Sequence, residues 1–351
     1  MKITGKFLWA DPPIFYGTNF TGKKDHEIAN LDELESKFID DILYLLIPLW
    51  WSREWYSLDS ENILTSEIKS WIAARHERFP KHHYVYCCNS LVELHQFQLA
   101  GIDAIICNHN TFSDPDLYKP LNISKAYPAV YNAQFVSWKR HYLAAKTKTL
   151  LLAHSIDQDC FRNVILPNID KNFTIANPIN HNQETDIYSL AGIPWESLNK
   201  CLNSASVGLS LSALEGANYS SIEYLLAGLS VVTTVNRGGR DFFFDGRFVL
   251  TVEPEDYFVR EAVYALSKYN NPALVRLETL NKLDYALSLF FKSLERIVFH
   301  ENKKIVSFEK LWPYIKVHKM HVDKEVNDHL ADYFFLNDVK DQFTQSTRYI
   351  L

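Results

Sequence analysis

The sequence predicts an α/β protein of two domains, each built on a parallel sheet, and three observations lead there. At 351 residues the chain is longer than one hydrophobic core usually serves. Short apolar runs alternate with helical stretches on both sides of residue 125, the βα pattern of a parallel sheet. Residues 206–256 compress an apolar strand, an acidic loop, an apolar helix and a second strand into one block.

The elements follow in order. Lys2–Trp9 reads as a first strand, and the Pro/Gly stretch after it as a loop facing a ligand. Gly17 and Gly22 would there be either simple turn residues or places where backbone approaches a substrate. Asn30–Phe38 is helical with an acidic start, while Asp41–Leu49 suits a strand or a buried helix, which periodicity does not separate. Ser60–Glu77 is a helix, His83–Asn89 a strand, Ser90–Leu99 a helix and Ile102–Asn108 a strand. The change of domain is expected around Leu121–Tyr127, between Pro120 and Pro128. Ala129–Phe135 then opens the second domain and runs into a helix, Val136–Lys148, with Lys139 and Arg140 at its start. Strands follow at Lys148–Ser155 and Phe173–Ala176, and a helix at Pro194–Ser204. Val207–Leu211 has the short apolar character of a buried parallel strand. Ser220–Leu229 has helical apolar spacing closed by Gly228, and β-branched Val231–Val235 is the next strand. From Tyr257 onward the pattern is mostly helical and increasingly charged.

Composition narrows the function classes. A net charge of -6 gives no overall basic signature for nucleic acid. The five cysteines (Cys87, Cys88, Cys107, Cys160, Cys201) are odd in number and lack a C-x-x-C pair, which argues against a zinc or disulfide framework and for a reducing cytoplasm. The N-terminal residues lack the apolar run of a signal peptide, and the longest apolar run, Ile42–Trp51, is too short to span a bilayer. Aromatic residues make up 14% of the chain, mostly for the core, with sugar stacking the alternative use of any surplus at a site. Asp114-Pro-Asp116 reads as a turn, no histidine pair has ligand spacing, and no metal requirement is expected. His109 and His154 fall at strand ends, where a core or surface role is the simpler reading.

The 206–256 block resembles the retaining glycosyltransferases of the GT-B fold, the "group 1" class with an E-x7-E motif. Here the motif is E-GANYSSI-E, Glu215 to Glu223, followed by YLLAGLSVVTT, the Gly-Gly loop NRGGRDFFFDG and the acidic turn VEPED. The resemblance implies two Rossmann-like domains facing a cleft: 1–125 for the acceptor, 126–300 for the donor, and 301–351 as helices packing back on the first. It implies transfer of a sugar from a nucleotide-diphosphate donor to a glycan or lipid-linked acceptor, with retention and no cofactor, and it admits peripheral membrane contact. Two departures are visible. Asn108-His109-Asn110 replaces the family's Asn-Gly-Val-Asp, and Asn132-Ala133 replaces its Gly-Arg. They keep a catalytically silent binding or assembly subunit open, and a sugar-nucleotide epimerase is the competing enzyme.

The resemblance assigns roles residue by residue. Glu215 is placed beside the donor sugar, against the simpler reading of a turn or capping acid. Glu223 takes the ribose diol, against that of an acid favoured by the helix dipole alone. Eight residues of helical rise put them roughly 12 Å apart, too far for a shared-proton glycosidase pair. Gly216, Asn218, Tyr219, Ser220 and Ser221 open the helix, whose N–H groups and serine hydroxyls would receive a phosphate. Lys139 and Arg140 match the position of the family's diphosphate-gripping base, with a solvated basic pair as the plainer alternative. Arg237 and Arg240 flank the Gly238-Gly239 loop, which either faces the donor or is a plain turn.

Overall fold

A computed structural model describes residues 2–17, 25–49, 61–316 and 323–345. It divides into two compact units, one of residues 1–112 and 284–351, the other of residues 113–283.

Unit 1 begins with β1 (Lys2–Ala10) and β2 (Pro13–Gly17), an antiparallel pair. This corrects the loop expected after the first strand. Ile14, Phe15 and Tyr16 are strong strand formers and all are buried, so the segment pairs rather than loops. Gly17 faces Gly5 across the pair. A Cβ on Gly17 would lie 2.3 Å from the Thr4 carbonyl oxygen, and one on Gly5 2.4 Å from the Phe15 ring. Gly17 therefore serves strand packing; Gly22 lies outside the described residues. Then come α1 (Asp25–Ser36), β3 (Leu43–Pro48), α2 (Glu61–Arg78), β4 (His82–Cys88), α3 (Leu91–Leu99, capped by Ser90) and β5 (Ala104–Ile106). β3 pairs with β2 and β4, so Asp41–Leu49 holds a strand at Leu43–Pro48 rather than a buried helix. Strands β2 to β5 are parallel neighbours in chain order.

Under this sheet lies a closed polar cluster. Glu35 is fully buried, pairs with Arg75, and accepts from the Tyr84 hydroxyl at 2.6 Å. His82 reaches Glu35 at 3.2 Å through Nδ1 and the Phe38 carbonyl at 2.9 Å through Nε2, with Phe79 stacked on its ring. Burial lowers the His82 pKa and raises that of Tyr84 to about 12.

Unit 2 contains β6 (Tyr127–Asn132), β7 (Thr149–Leu152), the one-turn α4 (Gln158–Cys160), β8 (Phe173–Ile175), the hairpin β9 (Ile179–Asn182) and β10 (Ile187–Leu190), α5 (Trp195–Asn203), β11 (Ala205–Ser210), α6 (Tyr219–Leu226), β12 (Ser230–Thr234), β13 (Val249–Val252) and α7 (Asp256–Tyr269). The main sheet is parallel throughout, in the order β13-β12-β11-β6-β7-β8. The chain runs from β6 outward to β8, then returns to the other side of β6 and runs outward again. The order reverses between β6 and β11, so the loops after these strands diverge and leave a crevice at their carboxyl ends. Gly208 of β11 lets α6 lie flat on the sheet, since a Cβ there would sit 2.5 Å from the Tyr224 ring. Gly228 ends α6 in the left-handed conformation (φ 77°) that favours glycine.

One long helix, α8 (Pro272–Asn302), crosses the division at Leu283/Asp284. After it come β14 (Ile305–Val306), α9 (Phe308–Ile315), β15 (Asp323–Glu325), α10 (Val326–Phe343) and β16 (Thr344–Gln345). β15 pairs with β1, and α10 covers β1, where a His329 ring nitrogen meets the Ile3 carbonyl at 2.8 Å. Residues 284–351 thus complete the unit that residues 1–112 begin. The first division falls at Phe112/Ser113 rather than 125/126. Residues after it are already tied to unit 2: Leu121 N donates to Asn203 Oδ1 at 2.8 Å, and Arg276 to the Tyr118 carbonyl at 2.6 Å.

Candidate active site

The polar residues of unit 2 gather where the strand order reverses. After β6, the expected helix over 136–148 is replaced by two short 3-10 turns, Ser137–Lys139 and His141–Ala144. Arg140 between them has φ 53°, which stops a continuous helix and sends Lys139 and Arg140 in different directions. Lys139 Nζ pairs with Glu215 Oε1, and both side chains are largely buried. Arg140 instead donates through Nε to the Leu211 carbonyl at 2.6 Å and through Nη2 to Thr234 Oγ1. Its guanidinium thus joins the ends of β11 and β12.

Glu215 sits on the loop after β11, where Leu214 bridges Arg237. Ser212 Oγ donates to Glu215 Oε1 at 2.6 Å, and Asn218 Nδ2 at 3.4 Å. A carboxylate with an ammonium and two neutral donors on it is held in one orientation at low water content. Asn218 also caps α6, its Oδ1 accepting from Ser220 N at 2.9 Å. The serine hydroxyls turn into the protein: Ser220 Oγ donates to the Asn132 carbonyl and Ser221 Oγ to the Asn218 carbonyl, each at 2.6 Å. Glu223, five residues into the helix, is 2% exposed. It accepts from Asn132 Nδ2 at 3.2 Å, and burial, followed by the Glu223 charge, raises the pKa of the nearby Tyr118 hydroxyl. The next residue, Tyr224, accepts from Asn132 N at 2.5 Å. The two acids are therefore served separately: Glu215 by Lys139, Ser212 and Asn218, Glu223 by Asn132 and Tyr118.

Two buried groups frame this arrangement. Arg240 is fully buried and donates to the carbonyls of Ser210, Ser212 and Thr234, so it fastens the ends of β11 and β12 from beneath. His141 lies between the Tyr131 and Phe135 rings, and burial followed by the Lys139 charge pushes its pKa down to about 3. At the neighbouring strand ends, His154 and Gln134 meet at 2.9 Å. Asn108, His109 and Asn110 are buried in unit 1, where Asn108 donates to the Asn89 carbonyl and His109 N to Asn89 Oδ1. Among the described residues no group of three or more His, Cys, Asp or Glu side chains is placed to hold a metal ion, and no helix is long and apolar enough to cross a membrane.

No protein-family model and no curated protein sequence matches the chain. Solved structures do. HepE from Anabaena in complex with UDP aligns over 76% of this chain and 81% of its own, with a TM-score of 0.53 at 12% identity. A glycosyltransferase from Rickettsia africae aligns over 82% and 84%, with a TM-score of 0.51 at 14% identity. HepE with UDP and glucose gives 0.51 at 11% identity, over 75% and 80%. The chain has the GT-B fold.

Within that GT-B frame, the structure brings together Lys139, Glu215 and Asn218, and sets Glu223 against Asn132. It turns Arg140 and Arg240 to the strand ends. Sequence reasoning missed Ser212, Tyr118 and Tyr224 as supports, and offered Arg240 to the donor or a plain turn rather than to the strand ends. Ser212, three residues before Glu215, was the one with a local signal; Tyr118 lies about a hundred residues from Glu223, and no spacing rule connects them.

Proposed function

We propose that the protein is a glycosyltransferase that takes its sugar from a nucleotide-diphosphate donor. The observation carrying this reading is the placement of Lys139–Glu215 and Asn132–Glu223 at the carboxyl ends of β6 and β11, where the sheet order reverses. The shared fold with HepE, solved with UDP and glucose, supports it.

In this reading the ribose diol of the donor takes the Glu223 carboxylate, displacing the Asn132 amide. The diphosphate draws Lys139 from Glu215 and lies against the first turn of α6, where backbone dipoles favour an anion. The bond between the anomeric carbon and the diphosphate oxygen breaks with both electrons going to the diphosphate, whose charge Lys139 offsets. Glu215, released from Lys139, faces the positive charge developing on the sugar. An acceptor hydroxyl attacks from the face the diphosphate leaves, and its proton passes to the departing phosphate oxygen, so configuration is retained. No metal and no cofactor beyond the donor enters this scheme. The acceptor is a glycan or a lipid-linked glycan, and the compartment a reducing cytoplasm, which the five free cysteines suit.

A thermal-shift panel of UDP, GDP, ADP and CDP on the wild type and Glu223→Ala tests the donor site. One nucleotide should raise the melting temperature of the wild type by mass action and leave the variant unmoved. A folded wild type indifferent to all four would overturn the reading and favour a silent GT-B subunit.

A further inference from the structure

Unit 1 carries a feature that the donor reading leaves unused. The last turns of α8, together with β14, form an open groove of about 570 Å³. Its described lining includes Lys292, Arg296, His300, Lys303 and Lys304. Lys292, Arg296 and His300 recur every fourth residue, so they stand in a row on one helix face, about 6 Å apart along the axis. Lys303 lies just past the helix end at Asn302, with φ 56°, and so stands beside the row rather than on it. The acid in the described lining is Glu295, which is half-buried.

These cations are not all spent internally. Lys304 pairs with Asp11 at 2.9 Å, Lys303 donates to the His300 carbonyl at 2.9 Å, and the His300 ring meets the Glu301 carboxylate at 2.9 Å. Lys292 and Arg296 have no hydrogen-bond acceptor and no ion-pair partner among the described residues, and both are exposed. A concentration of positive charge in one groove of a chain with net charge -6 is a local field of opposite sign to the whole. Phe299 lies on the same wall, about half exposed, with the Lys303 ammonium 5.6 Å from its ring. The groove thus offers several cations, two of them one helical turn apart, and one apolar surface.

We propose that this groove binds a polyanionic saccharide chain, with successive carboxylate, phosphate or sulfate groups meeting Lys292 and Arg296 in turn, Lys303 beyond them, and the apolar face of a sugar ring lying on Phe299. Resting on the glycosyltransferase reading, this chain is the acceptor or the polymer that bears it. A lone anion would need one or two cations rather than a row. A nucleic acid would call for a series of aromatic platforms, whereas the described lining presents one aromatic ring, Phe299.

The test uses the full-length protein and its double variant Lys292→Glu/Arg296→Glu, with fluorescently labelled polygalacturonate and dextran sulfate as charged probes and neutral dextran as control. Oligo-dT and vesicles of mixed phosphatidylcholine and phosphatidylglycerol are run beside them. The expected result is saturable, salt-sensitive binding of a charged glycan, weakened about tenfold or more in the variant. The variant should keep the wild-type melting temperature. Indifference of binding to the double variant, equal binding of neutral dextran, or preference for oligo-dT or vesicles would each overturn the proposal. Nucleotide shifts are read on the same samples. Their absence with the charged-glycan result intact would sink the donor reading and leave the groove assignment standing.

Discussion

The two units are each built around a six-stranded sheet, yet among the described residues the paired charges gather at a reversal of strand order in only one of them. In unit 2 the order β13-β12-β11-β6-β7-β8 reverses beside β6, and the polar groups cluster there. In unit 1 the order β15-β1-β2-β3-β4-β5 runs one way, with β1 paired antiparallel on both sides. Two buried glutamates make the same point. Glu35 of unit 1 is closed in by Arg75, His82 and Tyr84, at 0% exposure. Glu215 of unit 2 is nearly as buried, but it lies on a loop at the reversal, held by a lysine on the loop across from it. A charge pair buried under a sheet is structure; one at a reversal can exchange partners with a ligand.

This contrast can be broken experimentally. The largest effect is expected from Glu35→Ala, which strands the Arg75 guanidinium and should cost about 3–5 kcal/mol in denaturant unfolding. Its nucleotide-induced thermal shift should match that of the wild type; loss of the shift would mean that the two glutamates are not separable in role. Glu215→Gln preserves shape and should lower turnover about 10²–10³-fold while nucleotide binding persists, as read by nucleoside-diphosphate release. Unchanged turnover would remove Glu215 from the chemistry.

A smaller effect is expected from packing. Gly208→Ala presses a methyl group against Tyr224 and should cost about 1–3 kcal/mol, weakening nucleotide binding because Tyr224 and Glu223 move together. Gly192→Ala, where nothing lies within 4 Å, is the control and should shift stability by less than about 0.5 kcal/mol. Equal costs at the two glycines would contradict the close seating of α6 on β11.

Acid should sharpen the comparison last. His141 is neutral when folded, its pKa held at about 3, so protonation favours the unfolded chain. Stability is therefore unaffected above about pH 6.5, the unfolded value, and falls as pH drops from there toward 3. The loss should be about 1.4 kcal/mol between pH 7.5 and 5.5. His141→Phe should flatten that part of the acid limb. What remains should come from His82, His83 and His329 of unit 1, whose pKa values burial also lowers. An identical acid limb in the variant would show that His141 is not the group involved.

Much of the fold could be read where residue type and period agree. Val207–Leu211, Ser220–Leu229 and Val231–Val235 each carry an unmixed pattern, and the structure places β11, α6 and β12 there within a few residues. Misreadings came where local signals mislead. Pro12 and Pro13 suggested a loop, but Pro13 sits at a strand's first position, where proline is tolerated. The apolar and basic residues of 136–148 suggested a helix that the φ of Arg140 interrupts.

The sequence by itself determined the alternation of strands and helices, and through the resemblance carried by the whole 206–256 block it singled out Glu215 and Glu223 as one constellation. Those are local properties, set by side-chain period, turn chemistry and distance along one segment. Tertiary structure alone decided that Lys139 meets Glu215 while Arg140 joins two strand ends, and that Asn132 and Tyr118 attend Glu223. It also decided that the return to the unit begun by 1–112 starts at 284 rather than 301. The reason is physical: hydrogen-bond partners and strand neighbours are chosen by which loops a sheet brings side by side, and strand order in a sheet is not sequence order.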